Sequence, residues 1–164
     1  MADVNKGHLL QTGAGILNRN ACVVLVKTEW NASIVDELEN GCRRIFGDHG
    51  GVSVITLVVP GAVEIPFIIR RYYQENTVVP KPDAFIALGC VIRGDTPHFD
   101  YVCDTVTQGI LQLNLQLPVP VIFGVLTVNE EQQAIDRIGG SHGHKGEEAA
   151  ITALKMIALN RSFT

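Results

Sequence analysis

Short apolar runs alternate with amphipathic segments along this chain, and the alternation restricts it to repeated strand–helix units around a parallel sheet. Ala21 to Lys27 (ACVVLVK) is apolar up to its final lysine, as suits a strand buried on both faces. Ile34, Val35, Leu38, Cys42, Ile45 and Phe46 then recur at helical spacing. Val52 to Val59 predicts a second strand, closed by Pro60-Gly61, and Ile65, Ile68, Ile69, Tyr72 and Tyr73 predict the inner face of a second helix. The loop from Thr77 to Pro82 ends that helix, since prolines at 80 and 82 exclude its continuation.

Ala84 to Gly89 predicts a third strand, and Val102, Val106, Ile110, Leu113 and Leu117 predict a helix from about Phe99 to Pro118. Pro120 to Val125 predicts a fourth strand. Thr127 and Glu130 then match a capping box, opening a short helix that reaches about Ile138. A glycine-rich loop over residues 139–146 separates it from a last helix with Ala149, Ala150, Ala153, Leu154 and Ile157 inward. The expected fold is α/β: a three-layer αβα sandwich of flavodoxin-like type, with a four-stranded parallel sheet and helices on both faces. With 164 residues, 46% of them hydrophobic, the chain can build one sizeable core, so residues 21–164 are expected to form a single domain behind an N-terminal extension, residues 1–20.

Charge narrows the partners. A net charge of −4, with no basic run longer than Arg43-Arg44 or Arg70-Arg71, offers no footprint for nucleic acid or an anionic membrane. The first twenty residues lack a signal peptide's apolar core, and no segment approaches about 18 apolar residues in a row. A soluble, cytoplasmic protein is expected. Cys22, Cys42, Cys90 and Cys103 sit singly on apolar segments and are expected to be buried free thiols; His142 and His144 make at most half a metal site.

A parallel sheet binds ligands beyond the carboxyl ends of its strands. Four segments qualify: Thr28 to Asn31, Pro60 to Glu64, Cys90 to His98, and Leu126 to Asn129. Trp30 suits stacking on a heteroaromatic ligand, or else plugs the core or meets another subunit. Glu64, at a helix start, is either a cap or a ligand acceptor. The turn Arg93-Gly94-Asp95-Thr96 offers N–H groups and a hydroxyl to a phosphate, and His98 beside it can move protons or serve structure alone. Arg137 can grip a phosphate with two bonds or merely favour a helix end; Lys145, in a glycine-rich loop, has the same two readings. Phe123, mid-strand, is core by default.

Taken together, Val59-Pro60-Gly61-Ala62-Val63-Glu64-Ile65-Pro66, the stretch Gly89 to Asp100 (GCVIRGDTPHFD), Gly124 to Thr127 with Glu131-Gln132-x-Ala134, and His142 to Gly146 resemble the lumazine synthases, in the right order from about Ala21 to Leu159. The resemblance implies condensation of 5-amino-6-(D-ribitylamino)uracil with 3,4-dihydroxy-2-butanone 4-phosphate in riboflavin biosynthesis, with phosphate and water released. It implies that Trp30 and Asn31, Ala62, Val63 and Glu64, and the backbone of Cys90, Val91 and Ile92 hold the pyrimidine and its ribityl chain. Asp95, Thr96 and Arg137 would hold the phosphate, and His98 would shuttle protons. Phe123, Arg137 and Lys145 would reach a substrate held mainly by an adjacent chain.

It further implies a homo-oligomer built on pentamers, either alone, paired into a decamer or closed into an icosahedral shell of sixty chains. The extension 1–20 would pair with a neighbouring subunit, and association with riboflavin synthase is implied too. No metal, flavin or nucleotide cofactor is expected. The chain departs from the family pattern at Pro97, where many members have Thr or Ser, at His144, often Asn, and around Val79 to Pro82, where it carries extra residues. A flavin or lumazine carrier and a shell protein with a residual pocket would share this scaffold. Retention of His98, Arg137 and Glu64 together favours the enzyme.

Overall fold

Ala21–Thr28 (β1) is buried along almost its whole length because it lies between two strands and beneath helices on both faces. Val23 and Leu25 enter one core layer and Val24 and Val26 the other, the alternation that a pleated strand imposes. The computed structural model describes residues 8, 11, 16–75 and 81–163, so most of the extension 1–20 and the loop from Thr77 to Pro80 lie outside the described residues. Val52–Val59 (β2) pairs with β1 on one side, Ala84–Ile92 (β3) on the other, and Val121–Val128 (β4) lies beyond β3. All are parallel, in the order β2-β1-β3-β4.

The helices are Ala32–His49 (α1), Ile65–Glu75 (α2, entered through a 3-10 turn at Ala62–Glu64), His98–Gln116 (α3), Glu131–Ile135 (α4) and Lys145–Arg161 (α5). α1 and α5 cover one face of the sheet, α2 and α3 the other, giving the expected sandwich. Ile138–Gly140 (β5) and Gly143–His144 (β6) form a small hairpin ahead of α5.

The sheet runs further than the apolar runs suggest. β3 continues past Gly89 through Ile92, and β4 past Val125 through Val128, because these overhangs pair with each other, Cys90 with Leu126 and Ile92 with Val128. Thr127 is therefore a strand residue and forms no capping box; Glu130 stands at the N-cap of α4 and its side chain makes no capping bond. α4 stops at Ile135 instead of about Ile138, which pairs with His144. The expected loop over 139–146 is the hairpin, turned at Ser141-His142, with positive φ at Gly139 (111°), where the pairing register shifts, and at Gly143 (76°); Lys145 already begins α5. α3 likewise starts at His98 and leaves Leu117 outside.

Of the thiols, Cys22, Cys42 and Cys90 are buried but Cys103 only partly so. Burial pushes Cys42 up to about 12 and Cys90 up to about 11, which keeps both as unreactive thiols. His144 is buried at the α1–α5 contact, where Nδ1 accepts from the Glu147 N–H at 3.4 Å and Nε2 faces Glu37 Oε1 at 3.3 Å. Both ring nitrogens are thus engaged in holding the start of α5.

Lys27, the charged residue of β1, binds Glu39 Oε2 at 2.7 Å and Asp36 Oδ1 at 2.8 Å, while Glu39 Oε1 accepts from Arg43 Nε and Thr56 Oγ1, each at 2.8 Å. Burial pushes the Glu39 carboxyl up, but the bonds from Lys27, Thr56 and Arg43 outweigh it and hold the group below its ordinary value of 4.5. A folded value below the unfolded one gives stability that is complete above about 4.5 and lost as pH falls through the folded value. Glu39→Gln is therefore expected to be less stable at neutral pH, where Lys27 keeps only the exposed Asp36 as a carboxylate partner, yet to lose less on acidification. Urea midpoints measured from about pH 6 to about pH 3 test this, and parallel curves for the two proteins would contradict it.

Candidate functional site

The chain passes from β1 to β2 on one side and then to β3 on the other, so the loops after β1 and β3 diverge and leave a crevice at the carboxyl ends. Asn31 bridges it. The residue is left-handed (φ 57°, ψ 43°), a conformation Asn tolerates, and its side chain does not cap α1. Instead Nδ2 donates to the Cys90 carbonyl at 2.8 Å. β3 outruns β1 here: their pairing ends at Leu88, so the backbone of Gly89 to Ile92 that faces β1 has no strand partner. Cys90 is buried, Val91 and Ile92 half-buried.

Trp30 and Glu64 flank one spot. The Trp30 N–H donates to Pro60 O at 3.3 Å, carrying the β1–β2 pairing into the loops. A Cβ placed on Gly61 would lie 3.1 Å from Glu64 Oε2 and 3.7 Å from Trp30 Cδ1, so a bare glycine lets both side chains stand over the same backbone. Trp30 is 73% exposed and therefore does not plug the core. Ala62 is buried, whereas Val63 and Glu64 are exposed on the 3-10 turn.

The residues from Arg93 to His98 are all exposed, and His98 is the first residue of α3. Pro97 occupies the N-cap with no polar side chain to satisfy the first N–H groups, so the helix start next to Asp95 and Thr96 is receptive to an anion. The sequence singled out Arg93 only for the backbone of its turn, not for its side chain. Its guanidinium lies 4.1 Å from the Phe99 ring centre and bonds both Asp100 and Asn129.

Phe123, Arg137 and Lys145 meet elsewhere, along a groove of about 690 Å³ on the outer side of edge strand β4. Phe123 is 42% exposed, so it is not core, unlike Val121 and Val125 on the same strand, which pack in the layer with α3. The Lys145 N–H donates to Arg137 O at 2.8 Å, which draws the two cationic residues together at the base of the hairpin. Arg137 lies two residues beyond α4 and gives one N–H to Gln133 O at 2.8 Å, so it serves the helix end while also lining the groove. Lys145 pairs with Glu148 at 2.9 Å, a groove residue that its position on a helix face gave no reason to single out. Trp30, Glu64, Asp95, Thr96 and His98 do not line this groove. One chain thus carries two separate groups of candidate residues with β3 between the crevice and the β4 edge.

The sheet order, the crevice at its switch point and the anion-receptive helix start beside an imidazole define a flavodoxin-like α/β protein with a small-molecule site. A family model described as 6,7-dimethyl-8-ribityllumazine synthase matches residues 20–161. Proteins named 6,7-dimethyl-8-ribityllumazine synthase are similar over most of their length: that of Porphyromonas gingivalis is 50% identical over 135 residues, covering 81% of this chain and 81% of the relative. That of Parabacteroides distasonis is 47% identical over 135 residues, 81% of this chain and 82% of its own. That of Flavobacterium johnsoniae is 48% identical over 139 residues, 84% and 71% respectively. The chain belongs to the 6,7-dimethyl-8-ribityllumazine synthase family, and with it to the transferases of riboflavin biosynthesis. Among the described residues no helix is long and apolar enough to cross a membrane.

Proposed function

We propose that this chain condenses 5-amino-6-(D-ribitylamino)uracil with 3,4-dihydroxy-2-butanone 4-phosphate to 6,7-dimethyl-8-ribityllumazine, releasing phosphate and two waters, in the cytoplasm. The observation that carries the reading is the family match over residues 20–161; Trp30 and Glu64 beside one another at Gly61, and the Asn31–Cys90 bond, support it. Trp30 stacks on the pyrimidine, Asn31 and the backbone of Cys90, Val91 and Ile92 bond its edge, and Ala62, Val63 and Glu64 meet the ring and ribityl chain. The substrate supplies its own amine for the imine, so the protein needs no nucleophile. It supplies orientation, an anion cradle at Asp95 and Thr96, and proton transfer by His98.

Phe123, Arg137 and Lys145 complete the site of an adjacent subunit in this reading, Arg137 on the phosphate. Their separation from the crevice within one chain supports it: a groove with a bare aromatic on an edge strand suits a neighbour's substrate. Residues 21–164 act as one domain, and the extension 1–20 pairs with a neighbour, for which the open β2 edge with exposed Ile55 and Val58 offers a place. The assembly is a pentamer, alone, paired or in a sixty-chain shell, able to associate with riboflavin synthase. Mixing purified protein with both substrates is expected to form product, read by absorbance and fluorescence, well above the spontaneous rate. A rate equal to that background, from protein whose light scattering shows an intact assembly, would leave a carrier or a shell protein as the reading.

A further inference from the structure

Gly94 has open space around it, and its neighbours in the turn from Arg93 to Pro97 are exposed; one side chain holds this turn in place. The Arg93 N–H donates to Val128 O at 2.9 Å, extending the β3–β4 ladder, and the side chain then folds back over the start of α3. There the guanidinium stacks on Phe99, with Nη2 donating to Asp100 Oδ1 at 2.9 Å and Nε to Asn129 Oδ1 at 3.2 Å. Phe99 and Asp100 follow His98 in the same helical turn. Asn129 passes the contact on: its N–H donates to Gln133 Oε1 at 2.9 Å, and the Gln133 carbonyl accepts from Arg137 at 2.8 Å.

An exposed ion pair such as Arg93–Asp100 contributes little by itself, since water and salt screen it. The combination is different. Only a planar guanidinium can lie on a ring and offer in-plane N–H groups to oxygens on two different elements; an ammonium cannot. The segment with the imidazole and the segment with the groove arginine are therefore tied to one rigid group.

We propose that Arg93 is a positioning residue of the condensation, setting His98 through Phe99 and Asp100 and setting Arg137 through Asn129 and Gln133. The proposal rests on the roles given above to His98 and Arg137, and Arg93 itself touches no reacting atom. Its two arms serve different steps. One orients proton transfer and acts on kcat; the other orients the phosphate grip and acts on the KM of the phosphorylated substrate.

Steady-state kinetics on the full chain, with each substrate varied in turn, separates them. Arg93→Ala is expected to lower kcat about tenfold or more and to raise the KM of the butanone phosphate, with the KM of the pyrimidine unchanged. Arg93→Lys keeps the charge but not the plane and is expected to behave like the alanine variant. Asp100→Asn should lower kcat alone, and Asn129→Ala should raise the phosphate KM alone. If all parameters instead decline in step with the folded, assembled fraction, or if lysine restores them, the role is structural and the proposal is overturned. Wild-type kinetics in Arg93→Ala beside a slow His98→Ala also overturn it, and leave the reading of His98 standing. A full rate in His98→Ala removes both.

Discussion

Gly146→Ala is expected to lose about 3 kcal/mol or more of stability, although alanine is the better helix former by about 1 kcal/mol. The position lies in the first turn of α5, against α1, and a Cβ built there would overlap the Leu38 carbonyl oxygen, with the Leu38 carbonyl carbon at 2.8 Å and its Cα at 2.9 Å. Those obstacles are backbone, so no rotamer change relieves them. Either α1 moves off α5 or the start of α5 unwinds, and both would disturb His144, whose ring occupies the space beside Gly41 in the same contact. Set against a usual total of about 5 to 15 kcal/mol, such a loss is large.

A matched control sits on α1 itself. Gly47 has nothing within 4 Å of its built Cβ, so Gly47→Ala should be neutral or slightly stabilising. Guanidinium midpoints at one fixed protein concentration compare the two, the concentration mattering because association adds to apparent stability. Equal midpoints for the two variants would mean that the helices yield easily, and that close approach at Gly146 contributes nothing.

The α1–α5 contact also illustrates what a linear reading misses. Gly146 and Leu38 are far apart in sequence, and nothing around either residue signals that one needs the other's missing side chain. The central strands, by contrast, were legible because burial on both faces leaves an unbroken apolar run, as in Val23 to Val26 and Phe85 to Leu88. Their ends were not. Cys90 to Ile92 and Leu126 to Val128 are strand because each overhang supplies the other's ladder, and that non-local pairing overrode the local capping signature at Thr127.

Among the candidate site residues, those whose chemistry is their own stood out: Trp30, Glu64 and His98 beyond strand ends, Arg137 beside a glycine-rich segment. Arg93 did not, since its importance lies in partners seven and thirty-six residues away, which only the fold brings within reach. Phe123 was misjudged from the residues alone for a related reason. A strand phenylalanine is core only where another element packs over its face: Val121 and Val125 on the same edge strand are buried in the layer with α3, Phe123 is not, and no local pattern tells them apart.

His98→Ala is expected to slow turnover about a hundredfold at saturating substrates while pyrimidine affinity stays unchanged. The split follows from where the groups sit. Pyrimidine binding is assigned to Trp30, Asn31, the turn Ala62–Glu64 and the backbone of Cys90 to Ile92, none of which the substitution touches. As the first residue of α3, and exposed, position 98 accepts alanine without a packing defect or loss of helix propensity, so folding and assembly should be intact.

The remaining rate has a source too. Two bound reactants held in register keep most of the entropic advantage of the site, and water can carry protons less efficiently where the imidazole stood. That places the loss near the low end for acid–base catalysis rather than at thousands. Stopped-flow formation of the product, with fluorescence titration of the pyrimidine alone, measures the two quantities separately. Added imidazole should restore part of the lost rate, because a missing proton carrier can be replaced from solution whereas a missing orienting contact cannot. An unchanged kcat, or a pyrimidine affinity that falls as far as the rate, would assign His98 to binding or to structure and leave the proton transfers to solvent or to the substrates themselves.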